Sequence, residues 1–211
     1  MDDLEIRQVP AVVDTIRRDT RQLGFTMASE PQTGSLLRTL AASKPSGRFL
    51  ELGTGTGVGT AWLLAGMDER SRLDSVENDA KVLEVARRHL GHDPRVTFHL
   101  ADGEAFLAQS APLHFDFIYA DTWPGKFTHV DLALSLPKVG GIYFIDDLTT
   151  AGVMAGGART KGSGADHGAG NPTRICCHEV GLGVRADDIG ENEGGLTATA
   201  PDGGRPTIEL I

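Results

Sequence analysis

The sequence contains few of the residues on which several protein classes depend. Its only cysteines, Cys176 and Cys177, are adjacent, which suits neither a disulfide framework nor a zinc knuckle. The net charge is −9 and Lys and Arg form no cluster, which argues against nucleic acid as the main partner. No apolar run reaches membrane-spanning length, and the amino terminus does not resemble a signal peptide. We therefore expect one soluble, cytoplasmic domain.

The most informative pattern is a short apolar strand that ends in alternating glycines. Residues 48–52 are predicted to form a buried strand, residues 53–57 contain the glycines, and residues 61–65 open a helix. Because glycine has no Cβ, such a turn lets backbone approach a nucleotide-like ligand; a glycine turn without a ligand is the alternative. The dinucleotide fingerprint needs a third glycine where Val58 or Thr60 stands, which argues against an NAD(P)-dependent oxidoreductase.

Further apolar segments continue the alternation of strand and helix. Strands that alternate with helices are typical of an α/β fold with a parallel sheet. We predict a Rossmann-like, doubly wound, mostly parallel sheet with helices on both faces, in which the carboxyl-terminal strands are doubtful. The other predicted strands are residues 72–77, 96–100, 115–121 and 142–147, and the predicted helices include residues 11–22, 35–40, 80–86 and 128–136.

The glycine turn resembles motif I of the class I S-adenosylmethionine-dependent methyltransferases. Glu51 precedes the glycines in the pattern Glu-x-Gly-x-Gly-x-Gly, and the next strand ends in Glu77. The resemblance implies that the turn wraps the amino-acid end and ribose of the cofactor. It also implies that Glu77 accepts the ribose hydroxyls and that Asp102 lies near the adenine amino group. From the residues alone, Glu77 could instead cap the next helix, and Asp102 could belong to an ordinary Asp-Gly turn.

The segment before the first strand resembles one subgroup, the catechol O-methyltransferase-like family. The resemblance implies that residues 24–34 fold over the cofactor, with Met27 and Ala28 against it. A surface connector between two helices is the other interpretation. The residues implied to bind the cofactor are Met27, Ala28, Glu51, Gly53, Gly55, Gly57, Glu77, Asp102 and Asp121.

Three aspartates end the fourth and fifth predicted strands, namely Asp121, Asp146 and Asp147. Open parallel sheets place ligands at the carboxyl ends of their strands, and converging carboxylates repel one another unless a cation neutralises them. The subgroup holds a divalent metal, such as Mg²⁺, with an acid after strand four and an Asp-Asn pair after strand five. The resemblance thus implies that these three aspartates bind metal, with Asp147 in place of Asn. Metal-independent relatives, which also carry acids here, are the alternative.

Lys126 is the candidate general base, and Asp121 is the second candidate catalytic residue. The subgroup carries a lysine soon after the acid of strand four, but here Pro124-Gly125 displaces it along the chain. A lysine accepts a proton only if its pKa is lowered, which a nearby metal ion favours. An ordinary exposed lysine is the alternative.

The last part of the chain differs in composition from the rest. Residues 150–211 contain 14 of the 27 glycines and none of the aromatic residues. We predict a methyltransferase domain over residues 1–148 and, over residues 149–211, a tail that is disordered or translated out of frame. The second possibility rests on Met154-Ala155, whose codons ATG-GCN contain TGG, a tryptophan codon, in the +1 frame. That frame can continue into helix-like and strand-like segments.

These patterns predict an O-methyltransferase that uses S-adenosylmethionine, assisted by a divalent metal ion, on the hydroxyl of a small molecule. An inactive cofactor-binding remnant with a disordered tail is the main alternative, and an NAD(P)-dependent oxidoreductase is the weaker one. The amino-terminal helix could pair two chains as a homodimer. The expected partner is a small-molecule acceptor, and we expect no binding to nucleic acid or membrane.

Overall fold

The computed structural model describes residues 8–110 and 114–146 in full, and residues 174–178 by their backbone. The chain divides into two compact units, Met1–Phe106 and Leu107–Ile211. In both units parallel strands alternate with helices along the chain, which confirms the predicted α/β class. Within the described residues, no helix is both long enough and apolar enough to cross a membrane.

The first unit contains three parallel strands in the order β3-β2-β1. Leu52 pairs with Val76 and Glu77 pairs with Leu100, so the strands end at the same edge. The elements are α1 (Ala11–Leu23), α2 (Pro31–Ala42), β1 (Arg48–Leu52), α3 (Val58–Gly66), β2 (Arg72–Glu77), α4 (Ala80–Leu90), β3 (Val96–Leu100) and α5 (Gly103–Gln109), the last of which crosses into the second unit.

Local residue chemistry sets the helix ends of the first unit. Helix α1 ends at Gly24, whose φ of +73° is left-handed and suits glycine. Helix α2 begins at Pro31, a residue whose fixed φ fits the first helical position. It therefore starts before the predicted Ser35. Asp79 caps α4, and its side chain accepts hydrogen bonds from the N–H groups of Lys81 and Val82.

The second unit contains three parallel strands in the order β4-β5-β6. Ala120 pairs with Ile145, so the next residues, Asp121 and Asp146, follow at the same edge. The side chains from Phe117 to Ala120 are fully buried. The elements are β4 (Phe115–Ala120), a short turn α6 (Trp123–Lys126), α7 (Val130–Leu134), β5 (Pro137–Asp146) and β6 (Arg174–His178).

Strand β5 begins at Pro137 rather than at the predicted Ile142. Phe115 pairs with Pro137 and Phe117 with Ile142, so several residues of β5 bulge between these pairs. Gly140 adopts a φ of +76° in this bulge, which explains why a Gly-Gly sequence that predicts a turn lies inside a strand. Apart from the backbone of β6, the tail and the frame-shift prediction lie outside the described residues.

Candidate active site

The alternating glycines form a left-handed turn after β1. Gly53, Gly55 and Gly57 have φ angles of +98°, +54° and +93°, which other residues rarely adopt. The N–H of Gly53 donates to the carbonyl oxygen of Val76 at 3.0 Å and so fastens the turn to β2. At Gly57 an added Cβ would lie only 2.9 Å from the Cβ of Ala86. The motif therefore specifies a backbone path that side chains would block.

Glu77 directs its carboxylate onto backbone N–H groups beside this turn. Oε2 accepts from Gly55 at 2.9 Å, while Oε1 accepts from Asn78 at 2.9 Å and from Asp79 at 3.0 Å. A carboxylate offers about four acceptor positions, so these three bonds leave capacity for a ligand hydroxyl. The helix-cap alternative is excluded because Asp79 caps α4. A contact between Glu77 and cofactor stays a prediction.

Glu51 lies inside the first unit, with no exposed surface. Its Oε2 accepts hydrogen bonds from the hydroxyls of Thr60 and Ser75, both at 2.5 Å. The Ser75 hydroxyl is also 2.6 Å from that of Thr54 in the glycine turn. Glu51 thus connects β1, β2 and α3 and supports the turn from within, while its predicted contact with cofactor stays a prediction.

Helix α1 and the residue after its cap, Phe25, supply two contacts to the turn that sequence reasoning missed. The Thr20 hydroxyl donates to the carbonyl oxygen of Ile16 at 2.8 Å, so it accepts from the Thr56 hydroxyl, which is also 2.8 Å away. The Phe25 ring lies 3.4 Å from where a Cβ of Gly55 would stand. A threonine on the apolar side of α1 was the available signal, since a buried hydroxyl needs a partner.

The remaining predicted cofactor residues of the first unit are more exposed. Met27 exposes 76% of its surface, and Ala28 is half-buried. Asp102 is exposed, and its Oδ1 accepts from the N–H of Ala105 at 3.1 Å at the start of α5. Cofactor contacts of these three side chains stay predictions.

In the second unit, Tyr119 joins two of the predicted acids. Its hydroxyl is 3.0 Å from Oδ2 of Asp121 and 3.3 Å from Oδ2 of Asp146. Tyr119 is fully buried and Asp146 is 3% exposed. Because a phenol has one proton, Tyr119 can donate to one of these two carboxylates at a time. The structure thus brings Asp121 and Asp146 together, whereas Asp147 lies outside the described residues.

Lys126 reaches the same group of residues. Its Nζ lies 3.6 Å from Oδ1 of Asp121, and its side chain is only 8% exposed. This burial excludes the interpretation as an ordinary exposed lysine. The displacement by Pro124-Gly125 therefore does not prevent Lys126 from reaching the acid of strand four.

Two hydrogen bonds fix the displaced loop. The N–H of Gly125 donates to the carbonyl oxygen of Thr128 at 2.7 Å, and the carbonyl oxygen of Gly125 accepts from the Tyr143 hydroxyl at 2.6 Å. Burial raises the pKa of Tyr143, so this hydroxyl stays protonated at neutral pH. Gly125 itself has a φ of +89°. The loop that presents Lys126 is thus held by β5.

An aromatic surface lies beside Lys126. Trp123 is 55% exposed, and its ring centroid lies 5.0 Å from that of Phe127. The Nζ of Lys126 is 5.5 Å from the Phe127 ring centroid. The exposed ring of Trp123, next to a charged group, provides a face for a flat, partly polar molecule.

The described acids suit a hard cation by their chemistry. Asp121 and Asp146 offer carboxylate oxygens, the ligands that Mg²⁺ prefers. Within residues 8–110 and 114–146, no group of three His, Cys, Asp or Glu side chains forms a metal site. Since the third predicted ligand, Asp147, is outside this range, the metal site stays a prediction.

Comparisons with known proteins identify the family of the chain. Residues 50–148 match the family described as "Methyltransferase domain". A candidate O-methyltransferase of Mycolicibacterium vanbaalenii is 30% identical over 72% of this chain and 69% of its own length. A catechol O-methyltransferase of Mycobacterium tuberculosis is 28% identical over 66% of this chain and 64% of its own length. The chain thus spans about two thirds of these relatives.

Solved structures show the same fold. The O-methyltransferase of Bacillus cereus, in complex with S-adenosylhomocysteine, is 22% identical over 65% of each chain, with a TM-score of 0.57. TomG of Streptomyces achromogenes, in complex with S-adenosylmethionine, is 22% identical over 75% of this chain and 74% of its own, with a TM-score of 0.63. The fold is thus the Rossmann-like methyltransferase fold. The chain belongs to the class I S-adenosylmethionine-dependent O-methyltransferases, an enzyme family, and resembles its catechol O-methyltransferase-like subgroup.

Proposed function

We propose that this chain transfers the methyl group of S-adenosylmethionine to a hydroxyl oxygen of a small molecule, with a divalent metal ion at Asp121 and Asp146. The observation that carries the proposal is the cluster of Lys126, Asp121, Tyr119 and Asp146 at the carboxyl ends of β4 and β5. It joins a potential proton acceptor to oxygen ligands for a metal. The family membership supports the methyl donor.

The glycine turn and Glu77 are the proposed cofactor site. Backbone without side chains at Gly53, Gly55 and Gly57 lets the amino-acid end and ribose lie close to the chain. Glu77 has acceptor capacity left for a ribose hydroxyl. The cofactor complexes of the Bacillus cereus enzyme and TomG support this assignment.

Lys126 and the acids prepare the acceptor. A bound divalent metal supplies Lewis-acid chemistry that lowers the pKa of the acceptor hydroxyl. Asp121 and Asp146 would hold the metal ion, and Lys126, whose Nζ lies 3.6 Å from Asp121, is the proposed acceptor of the hydroxyl proton. The methyl carbon then leaves sulfur as its bond to the acceptor oxygen forms, which requires mainly alignment of the two reactants.

The proposed acceptor is a flat molecule with two neighbouring hydroxyl groups. Two oxygens of one acceptor can complete a metal site that has few protein ligands. The exposed ring of Trp123 offers such a molecule a face. The name of the Mycobacterium tuberculosis relative, a catechol O-methyltransferase, supports this class.

The test is transfer of isotope-labelled methyl to catechol and to its mono-O-methylated product, with Mg²⁺ or with chelator. We expect catechol to be methylated with Mg²⁺, and much less with chelator. S-Adenosylhomocysteine binding without transfer to any acceptor would favour the inactive remnant. If Asp121→Ala kept full activity in chelator, the metal assignment would be wrong.

A further inference from the structure

The chain contains only two tyrosines, and both place a buried hydroxyl in the same part of the second unit. Tyr143 supports the loop before Lys126 through the carbonyl oxygen of Gly125. Tyr119 instead faces Asp121 and Asp146, and the reaction described above gives it no chemical task. Its position inside an apolar strand therefore needs a reason.

The Tyr119 hydroxyl can fix the relative orientation of two carboxylates. Its oxygen lies 3.0 Å from Oδ2 of Asp121 and 3.3 Å from Oδ2 of Asp146, so its proton can be donated to either carboxylate. Two ionised carboxylates otherwise repel, and the repulsion is strong where water is excluded. The Tyr119 ring cannot move aside easily, because it is fully buried and packs against Phe144 at a centroid distance of 5.6 Å.

Lys126 contacts Asp121 from the other side. Its contact is with Oδ1 of Asp121, the carboxylate oxygen that Tyr119 does not use. Without the Tyr119 hydroxyl, Asp121 would keep its contact with Lys126 but lose the hydrogen bond to Oδ2. Asp146 would lose the link that holds it to Asp121.

We propose that Tyr119 is a positioning residue that holds Asp121 and Asp146 in the orientation in which they bind a divalent cation. The inference rests on the metal part of the proposed function and adds a residue to it. Hydrogen-bond partners of metal ligands typically contribute about 10- to 100-fold to metal affinity. Loss of the Tyr119 hydroxyl should therefore weaken metal binding without affecting the cofactor site of the first unit.

The experiment measures Mn²⁺ binding by electron paramagnetic resonance in the full chain saturated with S-adenosylhomocysteine. Tyr119→Phe removes only the hydroxyl, and Tyr143→Phe is the matched control, because it removes a buried hydroxyl from the neighbouring strand. We expect Tyr119→Phe to weaken Mn²⁺ binding about tenfold or more. Tyr143→Phe, which removes the hydrogen bond to Gly125 in the loop before Lys126, should weaken it clearly less. S-Adenosylhomocysteine affinity should change less than Mn²⁺ affinity in Tyr119→Phe, because most of the proposed cofactor residues lie in the first unit.

A second measurement does not require the Tyr119→Phe protein to fold well. With 3-fluorotyrosine in place of tyrosine, the chain gives two fluorine resonances, and Tyr143→Phe leaves only that of Tyr119. Titration with Mg²⁺ should shift the Tyr119 resonance and leave the Tyr143 resonance in place.

Unchanged Mn²⁺ affinity in a folded Tyr119→Phe protein, or a Tyr119 resonance that does not respond to Mg²⁺, would overturn the inference. Absence of Mn²⁺ binding in the unaltered chain would overturn both the inference and the metal part of the proposed function. Methyl transfer itself is judged separately by the labelled-methyl assay.

Discussion

The two units hold their functional residues in different ways. In the first unit the glycine turn is a backbone structure, fixed by left-handed φ angles and by the N–H of Gly55 on Glu77. In the second unit the acids and Lys126 are placed by side-chain contacts around Tyr119. A backbone site should lose its shape when a side chain is added, whereas a side-chain site should lose function when one polar group is removed.

The largest effect is expected from adding a methyl group to the glycine turn. In Gly57→Ala the new Cβ would lie 2.9 Å from the Cβ of Ala86, at a φ of +93°. Backbone strain and overpacking together should lower the free energy of unfolding by about 3 kcal/mol. Gly24→Ala is the control, since its φ is +73° with no atom within 4 Å of the new Cβ, and should cost about 1 kcal/mol. Equal losses in urea denaturation would show that the close approach to Ala86 has no cost.

Removing one charge from the second unit should reduce activity and leave the fold intact. We expect Asp121→Asn to lower kcat/KM about 100-fold, because a charged partner of Lys126 and a proposed metal ligand is lost. Asp116→Asn is the control in the same strand, where Asp116 pairs with Lys138 at 2.8 Å. Equal activity of both variants in the labelled-methyl assay would contradict the assignment of Asp121.

The glycine turn can also be tested by a side-chain substitution, because Glu77 accepts a hydrogen bond from the N–H of Gly55. Glu77→Gln keeps the size of the residue but removes its charge, and we expect the affinity for S-adenosylhomocysteine to fall about tenfold in calorimetry. Asp79→Ala should cost about 1 kcal/mol of stability by removing the cap of α4, and should leave that affinity unchanged. If Asp79→Ala lowered the affinity for S-adenosylhomocysteine more than Glu77→Gln does, the affinity would depend on the local fold. Glu77 would then support the fold and not contact the cofactor.

The smallest effect is expected at an ion pair outside both groups of residues. The side-chain hydrogen bond from Arg95 lowers the pKa of Asp93, so the pair stabilises the fold above the unfolded pKa and loses this contribution as pH falls. Because the pair is partly exposed to solvent, Asp93→Asn should cost about 0.5 kcal/mol at pH 7. The difference between the two proteins should shrink towards pH 2 in urea denaturation. If the difference in the free energy of unfolding grew as pH fell, the result would contradict this prediction.

The contrast between a backbone site and a side-chain site also explains which parts of the structure could be predicted from the sequence. Strand positions and the glycine turn follow from local patterns, because apolar runs and glycine φ angles are properties of neighbouring residues. The start of β5 was misplaced, since Gly140-Gly141 predicts a turn but lies in a bulge that depends on pairing with β4. A bulge of this kind is set by the partner strand and has no local signal.

Sequence analysis proposed the acids and the lysine of the candidate site, but it did not predict the tyrosine hydroxyls that support them. Tyr119 and Asp146 are 27 residues apart, and Tyr143 and Gly125 are 18 apart. Such contacts depend on strand register, which periodicity alone does not fix. A tyrosine within a buried strand was the one available signal, because its hydroxyl must find a partner.

The most direct test of the cofactor assignment is calorimetric titration of the full chain with S-adenosylhomocysteine and, separately, with NADH. We expect one molecule of S-adenosylhomocysteine to bind per chain, with weaker binding in Glu77→Gln and no binding of NADH. Binding of NADH without binding of S-adenosylhomocysteine would contradict the assignment of the glycine turn to a methyl donor.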